Sequence, residues 1–332
     1  MPLQLTLTRL RATAIGARTD AQPTLCNYCF TLPLGVDPDD LSDGAAYLGS
    51  LQRVRSESCP FCQLVASAFN SCPSEEEVEA IEVVWSDIPG FRISNSAASS
   101  MARICYITGG NHSYRWAKAI TGKWINVEIP KRWLKTCETQ HGDQCLPPQL
   151  EEFDSNSSQV PLQTFRLLDV YSMCLVDAPN PCRYVALSYV WGANAADDGR
   201  LFLQTTNKRA LMKPGSLKSL QKSIPKTILD ALKFVRSIGL RFLWVDSLCI
   251  LQNNREELKE SVKTMDSVYE MSFLTIIAAN GADAHAGLPG VHSTPRRCRQ
   301  TIKEVKSGIS MTLVEDLDFY LEKSPYSRRA WT

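Results

Sequence analysis

The sequence predicts an α/β protein, with a parallel sheet and flanking helices in the C-terminal half and a small Cys-rich, β-containing region before it. Three observations carry that expectation. Short apolar runs, above all Phe242-Leu-Trp-Val245, have the texture of strands buried on both faces. Helical periodicities alternate with those runs, the strand–helix–strand order of a doubly wound sheet. Two Cys-x-x-Cys pairs, Cys26/Cys29 and Cys59/Cys62, set the N-terminal region apart.

Composition narrows the field. The 332 residues suffice for one large domain or two ordinary ones. Apolar and charged contents of 44% and 21% are those of a soluble globular protein. A net charge of +1 gives no global attraction to nucleic acid or an acidic membrane surface. No apolar run approaches the ~18–20 residues needed to span a bilayer. A cytoplasmic location is expected, and there the twelve cysteines act as core residues, metal ligands or reactive thiols rather than disulfides.

Residues 1–22 carry Arg9, Arg11 and Arg18 without an apolar signal core, and read as a flexible tail. Residues 23–80 form the Cys-x-x-Cys module. Each knuckle offers two thiolates, and together Cys26, Cys29, Cys59 and Cys62 make the ligand set of tetrahedral Zn²⁺. The competing reading makes them small apolar core residues, with Cys62 facing inward from a helix. The acids Glu75, Glu76, Glu77 and Glu79 suit a helix start or an exposed loop.

Residues 81–160 read as a small β-rich region, a helix and a linker. Its runs are Glu82-Val-Val-Trp85, Phe91-Arg-Ile-Ser94, Arg103-Ile-Cys-Tyr-Ile107 and Trp124-Ile-Asn-Val-Glu-Ile129. Pro89-Gly90 and Gly109-Gly110-Asn111 supply turns, so an antiparallel sheet is expected. Further on, Cys137 and His141 share a helical face, with Cys145 beyond a glycine. Three soft or borderline ligands of this kind could hold a metal, but no fourth is apparent from the spacing, and a helix end with buried thiols is the expectation. Residues Pro147 to Gln159, rich in Pro, Asp, Ser and Asn, read as the linker.

Residues 161–332 form the regular half. Arg166 to Tyr171 leads to the strand Tyr184–Gly192, which ends at a glycine. A helix starts near Pro225, turns Ile228, Leu232 and Val235 inward, and stops at Gly239. The second strand follows, up to Asp246. Asn254-Arg-Glu-Glu257 has the form of a capping box, with Glu257 reaching back and a helix burying Leu258, Val262, Met265 and Tyr269. Met271 to Asn280 is the third strand.

Parallel neighbours would bring three strand ends to one edge, where open α/β sheets place their ligands. The candidate binding residues there are Ser188, Trp191, Gly192, Ser247, Cys249 and Asn280, with Asp246 as the candidate catalytic carboxylate. Asp246 suits a cap or turn equally well. No Gly-x-Gly-x-x-Gly or phosphate loop occurs, which argues against a Rossmann cofactor or P-loop nucleotide. No histidine pairs in sequence with Ser188 or Cys249 as a hydrolase triad would need.

Several blocks in order resemble the fungal heterokaryon-incompatibility (HET) domain. They are Tyr184-Val-Ala-Leu-Ser-Tyr-Val-Trp-Gly192, Leu243-Trp-Val-Asp-Ser-Leu-Cys-Ile-Leu-Gln252, Met265 with Tyr269, the Thr275-Ile-Ile-Ala-Ala279 run and Arg329-Ala-Trp-Thr332. The Cys-x-x-Cys pairs and the Trp133–Cys145 segment also look like what precedes that domain. The resemblance implies fungal self/non-self recognition and programmed cell death, with protein partners that are other incompatibility factors or further copies of the chain. It also implies a flavodoxin/TIR-like sheet, since the HET domain is held to be distantly similar to TIR domains. Some of those cleave NAD and others work only by assembling, so the enzymatic question stays open. With NAD as substrate, Asp246 would steady an oxocarbenium-like centre beside the Trp191 wall. In the family the third block runs on past Trp-Thr to an aromatic or Leu, then Gln and Glu. This sequence ends at Thr332, which implies a domain cut short and, as an alternative, an inactive regulator with a zinc-binding N-terminal region.

Overall fold

The computed structural model describes residues 24–36, 40, 42–70, 78, 80–86, 90–95, 98–107, 117–120, 122–145, 165–179, 182–193, 199–297, 300–315, 317, 321–322 and 324–328. The expected tail, most of the acidic run from Glu75, the Gly109-Gly110-Asn111 turn, the 147–159 linker and the Arg329–Thr332 block lie outside the described residues. In chain order the elements are α1 (Asn27–Phe30), β1 (Gly44–Gly49), α2 (Leu51–Ser56), α3 (Pro60–Ala68), β2 (Ile81–Trp85), β3 (Phe91–Asn95), β4 (Ala98–Tyr106) and α4 (Glu128–Gln140). Then come β5 (Arg166–Asp169), β6 (Cys174–Asp177), β7 (Tyr184–Ser188), α5 (Lys208–Leu211), α6 (Ser216–Ser219), α7 (Lys226–Ser237), β8 (Phe242–Trp244) and α8 (Asp246–Cys249). The last are α9 (Arg255–Lys263), α10 (Met265–Glu270), β9 (Leu274–Ile277), β10 (Ile302–Lys306) and β11 (Ile309–Glu315). The chain divides into two compact units, residues 1–119 with 300–315 and residues 120–299 with 316–332.

The first unit is a six-stranded antiparallel sheet in the order β1-β2-β3-β4-β11-β10. Its inner positions alternate along the strands: Ile81 and Val83, Phe91 and Ile93, and Ala102 and Ile104 are buried. The helix α3 buries Phe61, Cys62, Leu64 and Val65, and Phe61 meets Phe91 edge-on at 5.3 Å between ring centroids. Trp124–Ile129, expected as a strand, instead leads into α4, whose first two residues are Glu128 and Ile129. Asn126 Oδ1 accepts the Glu128 N–H, a local bond that diverts the backbone from a ladder.

The second unit corrects the expected fold class. Its five-stranded sheet has the order β6-β5-β8-β7-β9 and is mixed, so a parallel flavodoxin/TIR-like sheet is ruled out, although the chain is α/β as a whole. β8, β7 and β9 run parallel, with Ala186 opposite both Trp244 and Thr275. β5 runs antiparallel to β8 and to β6. The physical cause is a tight turn. Asp169 Oδ1 accepts the N–H groups of Tyr171 and Ser172, and the Met173 N–H bonds back to the Asp169 carbonyl at 2.7 Å. A connection that short joins only antiparallel strands.

Between β7 and β8 the helix α7 opens at Pro225, which adopts extended dihedrals as N-cap, and Gly239 takes φ +86° just past its end. It lays Ile228, Ala231, Leu232 and Val235 into the core, about 1.5–3 kcal/mol for each larger aliphatic side chain. Asn254 caps α9 by accepting the Glu256 and Glu257 N–H groups. Glu257 does not close a capping box. Its carboxylate takes the Leu251 N–H at 3.2 Å and pairs with the buried Arg166, a charge that costs too much to leave alone. The helix expected after Asn254 breaks at Thr264 into α9 and α10, leaving Val262 exposed and Val268 buried.

Candidate functional site

In the second unit, β8 delivers its chain to Asp246 through Val245, which is extended, and α8 begins at the aspartate itself. One turn of helix buries Asp246, Ser247, Leu248 and Cys249 together. Past the end of the neighbouring strand β7, Tyr189 and Trp191 both reach the α8 segment. The two elements lock through polar groups. Trp191 Nε1 donates to Asp246 Oδ2 at 2.9 Å, and the Ser247 N–H donates to Oδ1 at 2.7 Å. The Tyr189 and Ser247 hydroxyls lie 2.8 Å apart. Burial, then the Asp246 charge, hold the Tyr189 phenol well above its ordinary range. Arg200, also buried, donates to the Trp191 carbonyl at 2.8 Å, and Gln252 donates to the Asp246 carbonyl at 3.1 Å.

The residues singled out from sequence separate into groups. Asp246, Trp191 and Ser247 are joined by hydrogen bonds. Ser188, the last residue of β7, is buried and donates to the Tyr326 hydroxyl at 3.4 Å. Gly192 takes φ +90°, and a Cβ there would come within 2.7 Å of the Asp283 side chain, so the loop after β9 closes against it. Cys249 faces inward: its sulfur accepts the Val245 N–H at 3.3 Å, and burial pushes the thiol up to about 12. Asn280 is exposed in the turn after β9. Tyr189, Arg200, Gln252 and Tyr326 were not foreseen. The Tyr189/Trp191 alternation was the available signal for one of them; Arg200, from a polar loop, gave none.

The arrangement binds its own parts firmly. Both Asp246 oxygens accept from the protein, and a hydrogen bond to a charged group contributes about 1.5–3 kcal/mol. A carboxylate so engaged positions an indole.

In the first unit, α1 and the start of α3 bring the two cysteine knuckles together. The four sulfurs of Cys26, Cys29, Cys59 and Cys62 lie within 4.8 Å of one another, and three of the residues are buried. Cys62 is 3.6 Å from Cys26 and 3.5 Å from Cys29, sulfur to sulfur. Zn–S bonds of about 2.3 Å in a tetrahedron give S···S edges of roughly 3.8 Å, so the cluster could hold a metal ion. The thiols share protons: hydrogen bonding to Cys59 and then Cys62 raises Cys29, and the bond from Cys29 lowers Cys59. Cys62, which Cys29 lowers and Cys59 and burial raise, stands at about 12. Arg53 lies over the Tyr28 ring at 4.2 Å and directs its guanidinium N–H groups to Cys62 Sγ at 3.5 Å and Cys26 Sγ at 3.9 Å. No sequence pattern announced Arg53.

Residues 184–332 match the family model described as heterokaryon incompatibility protein (HET). The chain is 28% identical over 149 aligned residues to heterokaryon incompatibility protein 6, OR allele, of Neurospora crassa, a match covering 39% of this chain. The match spans 20% of that relative's length. No solved structure matches. Among the described residues, no helix is long and apolar enough to cross a membrane. The span 184–332 takes in the Tyr189–Trp191 and Asp246–Gln252 segments that build the hydrogen-bonded cluster, and it is over this span that the chain is similar to the HET family.

Proposed function

We propose that this chain acts in fungal heterokaryon incompatibility as a signalling module, working through protein partners in self/non-self recognition and ending in cell death. The observation that supports this reading best is the HET match over 184–332, with the N. crassa incompatibility relative beside it. A non-catalytic mode is favoured because the Asp246 oxygens are engaged by Trp191 and the Ser247 N–H, leaving the carboxylate poorly placed to act on a substrate. In this reading Asp246, Trp191 and Ser247, with Ser188 and Gly192 alongside, fix the surface that a partner meets. The four-cysteine centre holds structural Zn²⁺, which supplies folding free energy to a unit with few helices.

The test is expression of the full chain in a fungal host. Wild type is expected to arrest growth, Asp246→Ala to lose that effect, and cellular NAD to stay unchanged before arrest. Growth unaffected by wild type would sink the incompatibility reading. NAD consumed by purified wild type and not by Asp246→Ala would replace the signalling mode with an enzymatic one.

A further inference from the structure

The helix α4 buries none of its side chains, yet its C-terminal end carries two thiols and an imidazole. Cys137 and His141 are one turn apart on one face. His141 ends the helix with φ −91° and ψ 0°, and Gly142 then takes φ +58°. Nothing lies within 4 Å of a Cβ built on Gly142, so the glycine serves the backbone angle and not a close approach. The short 3₁₀ turn Gly142–Cys145 carries Cys145 back over the helix end. His141 Nδ1 and Cys145 Sγ stand 3.3 Å apart, and all three ligand atoms lie within 4.8 Å of one another.

Burial does not account for this grouping. The expected buried thiols are not found: Cys137 is half-buried and Cys145 exposed. An exposed cysteine contributes nothing to a core and stays open to oxidation. Chance surface placement would not require a left-handed glycine to fold the third donor onto the other two. We propose that Cys137, His141 and Cys145 form a Zn²⁺ site separate from the four-cysteine centre, with its fourth position taken by water or another exchangeable ligand.

The donor chemistry selects the ion. Two thiolates and one imidazole are borderline-soft, suit a tetrahedral d¹⁰ ion, and balance a charge of +2. Bonds of about 2.3 Å to sulfur and 2.0–2.1 Å to nitrogen give an N···S edge of roughly 3.6 Å, a few tenths from the observed separation. Among the described residues, no fourth His, Cys, Asp or Glu atom joins the cluster. Three protein ligands and an open position are the mark of an exchangeable zinc, where four thiolates close a structural one. The nine residues from Cys137 to Cys145 supply every donor, so the site does not depend on the packing of the sheets.

The experiment is a cobalt titration of the full chain under reducing conditions, reading metal per chain and the thiolate-to-cobalt and d–d bands, with azide as the probe of the open position. Wild type is expected to take up one equivalent whose bands shift with azide. In Cys137→Ser/Cys145→Ser, and separately in His141→Ala, that equivalent and the azide response should vanish while circular dichroism is unchanged. Failure of the four-cysteine centre to bind metal would instead remove the azide-insensitive equivalent and leave this one. An azide response and metal content identical in wild type and the double variant would overturn the proposal, as would a wild type with no azide-sensitive band at all.

Discussion

Asp246 holds a position that sequence could locate and could not interpret. A carboxylate closing an apolar run wants a partner, and that much was visible in Trp-Val-Asp-Ser. Its partners are the indole of Trp191 and the next backbone N–H, one of them fifty-five residues away in sequence. Hydrogen bonds over such separations, the Tyr189–Ser247 contact among them, leave no trace in a single sequence. Truncation to alanine strands the buried Ser247 donor and the half-buried Trp191 donor, at about 1–3 kcal/mol for a fully buried group. Asp246→Ala is therefore expected to lower unfolding free energy by roughly 2–4 kcal/mol in urea titration. A red shift of tryptophan emission should accompany it; a loss below about 0.5 kcal/mol would show that the bonds are not made in solution.

At the scale of the element, the β5–β6 hairpin decides the sheet. Strand β7 and helix α7 were legible because apolar runs and an i, i+4, i+7 stripe report burial locally. The hairpin was not, because Asp169-Val-Tyr-Ser-Met has no glycine or asparagine to mark a turn; the Asp169 side chain makes it, and Met173 adopts φ +51° to complete it. Burial opposes the Asp169 charge, but the Arg241 guanidinium and the Ser172 and Tyr171 N–H groups together hold its pKa below the usual 3.8. A depressed folded pKa contributes stability that is complete above the ordinary carboxylate value and is lost as pH falls through the folded one. Arg241 is largely exposed, so solvent screening limits its share. Acid titration of stability should thus show a falling limb below pH 3.8 that Asp169→Asn flattens. An unchanged limb in the variant would remove Asp169 from the account.

Taken as a whole, the molecule contains two sheets of different kinds, and the sequence texture distinguished them only in part. Turn residues and period-two alternation gave away β2, β3 and β4. The partnership of β4 with β11, two hundred residues on, is a long-range pairing, Met311 opposite Tyr106, that no local pattern encodes. The Cys-x-x-Cys pairs were legible because metal ligand spacing is itself local within each knuckle. If the four thiolates hold zinc, a strong chelator should melt the antiparallel unit first. Hydrogen exchange after chelation should then show lost protection in β1–β4, β10 and β11 and retained protection in β7 and β8. Uniform exchange in both units, or none in either, would contradict this division.

That pairing also has a consequence in time. A ribosome adds about 5–20 residues per second, so β4 leaves the exit tunnel roughly 10–40 seconds before β11 exists to cover its edge. During that wait the nascent sheet has an open ladder and a ready template for a stranger's strand. An ion captured early by Cys26, Cys29, Cys59 and Cys62, all synthesised before β4, would give the young chain an anchor while its last two strands are still being made.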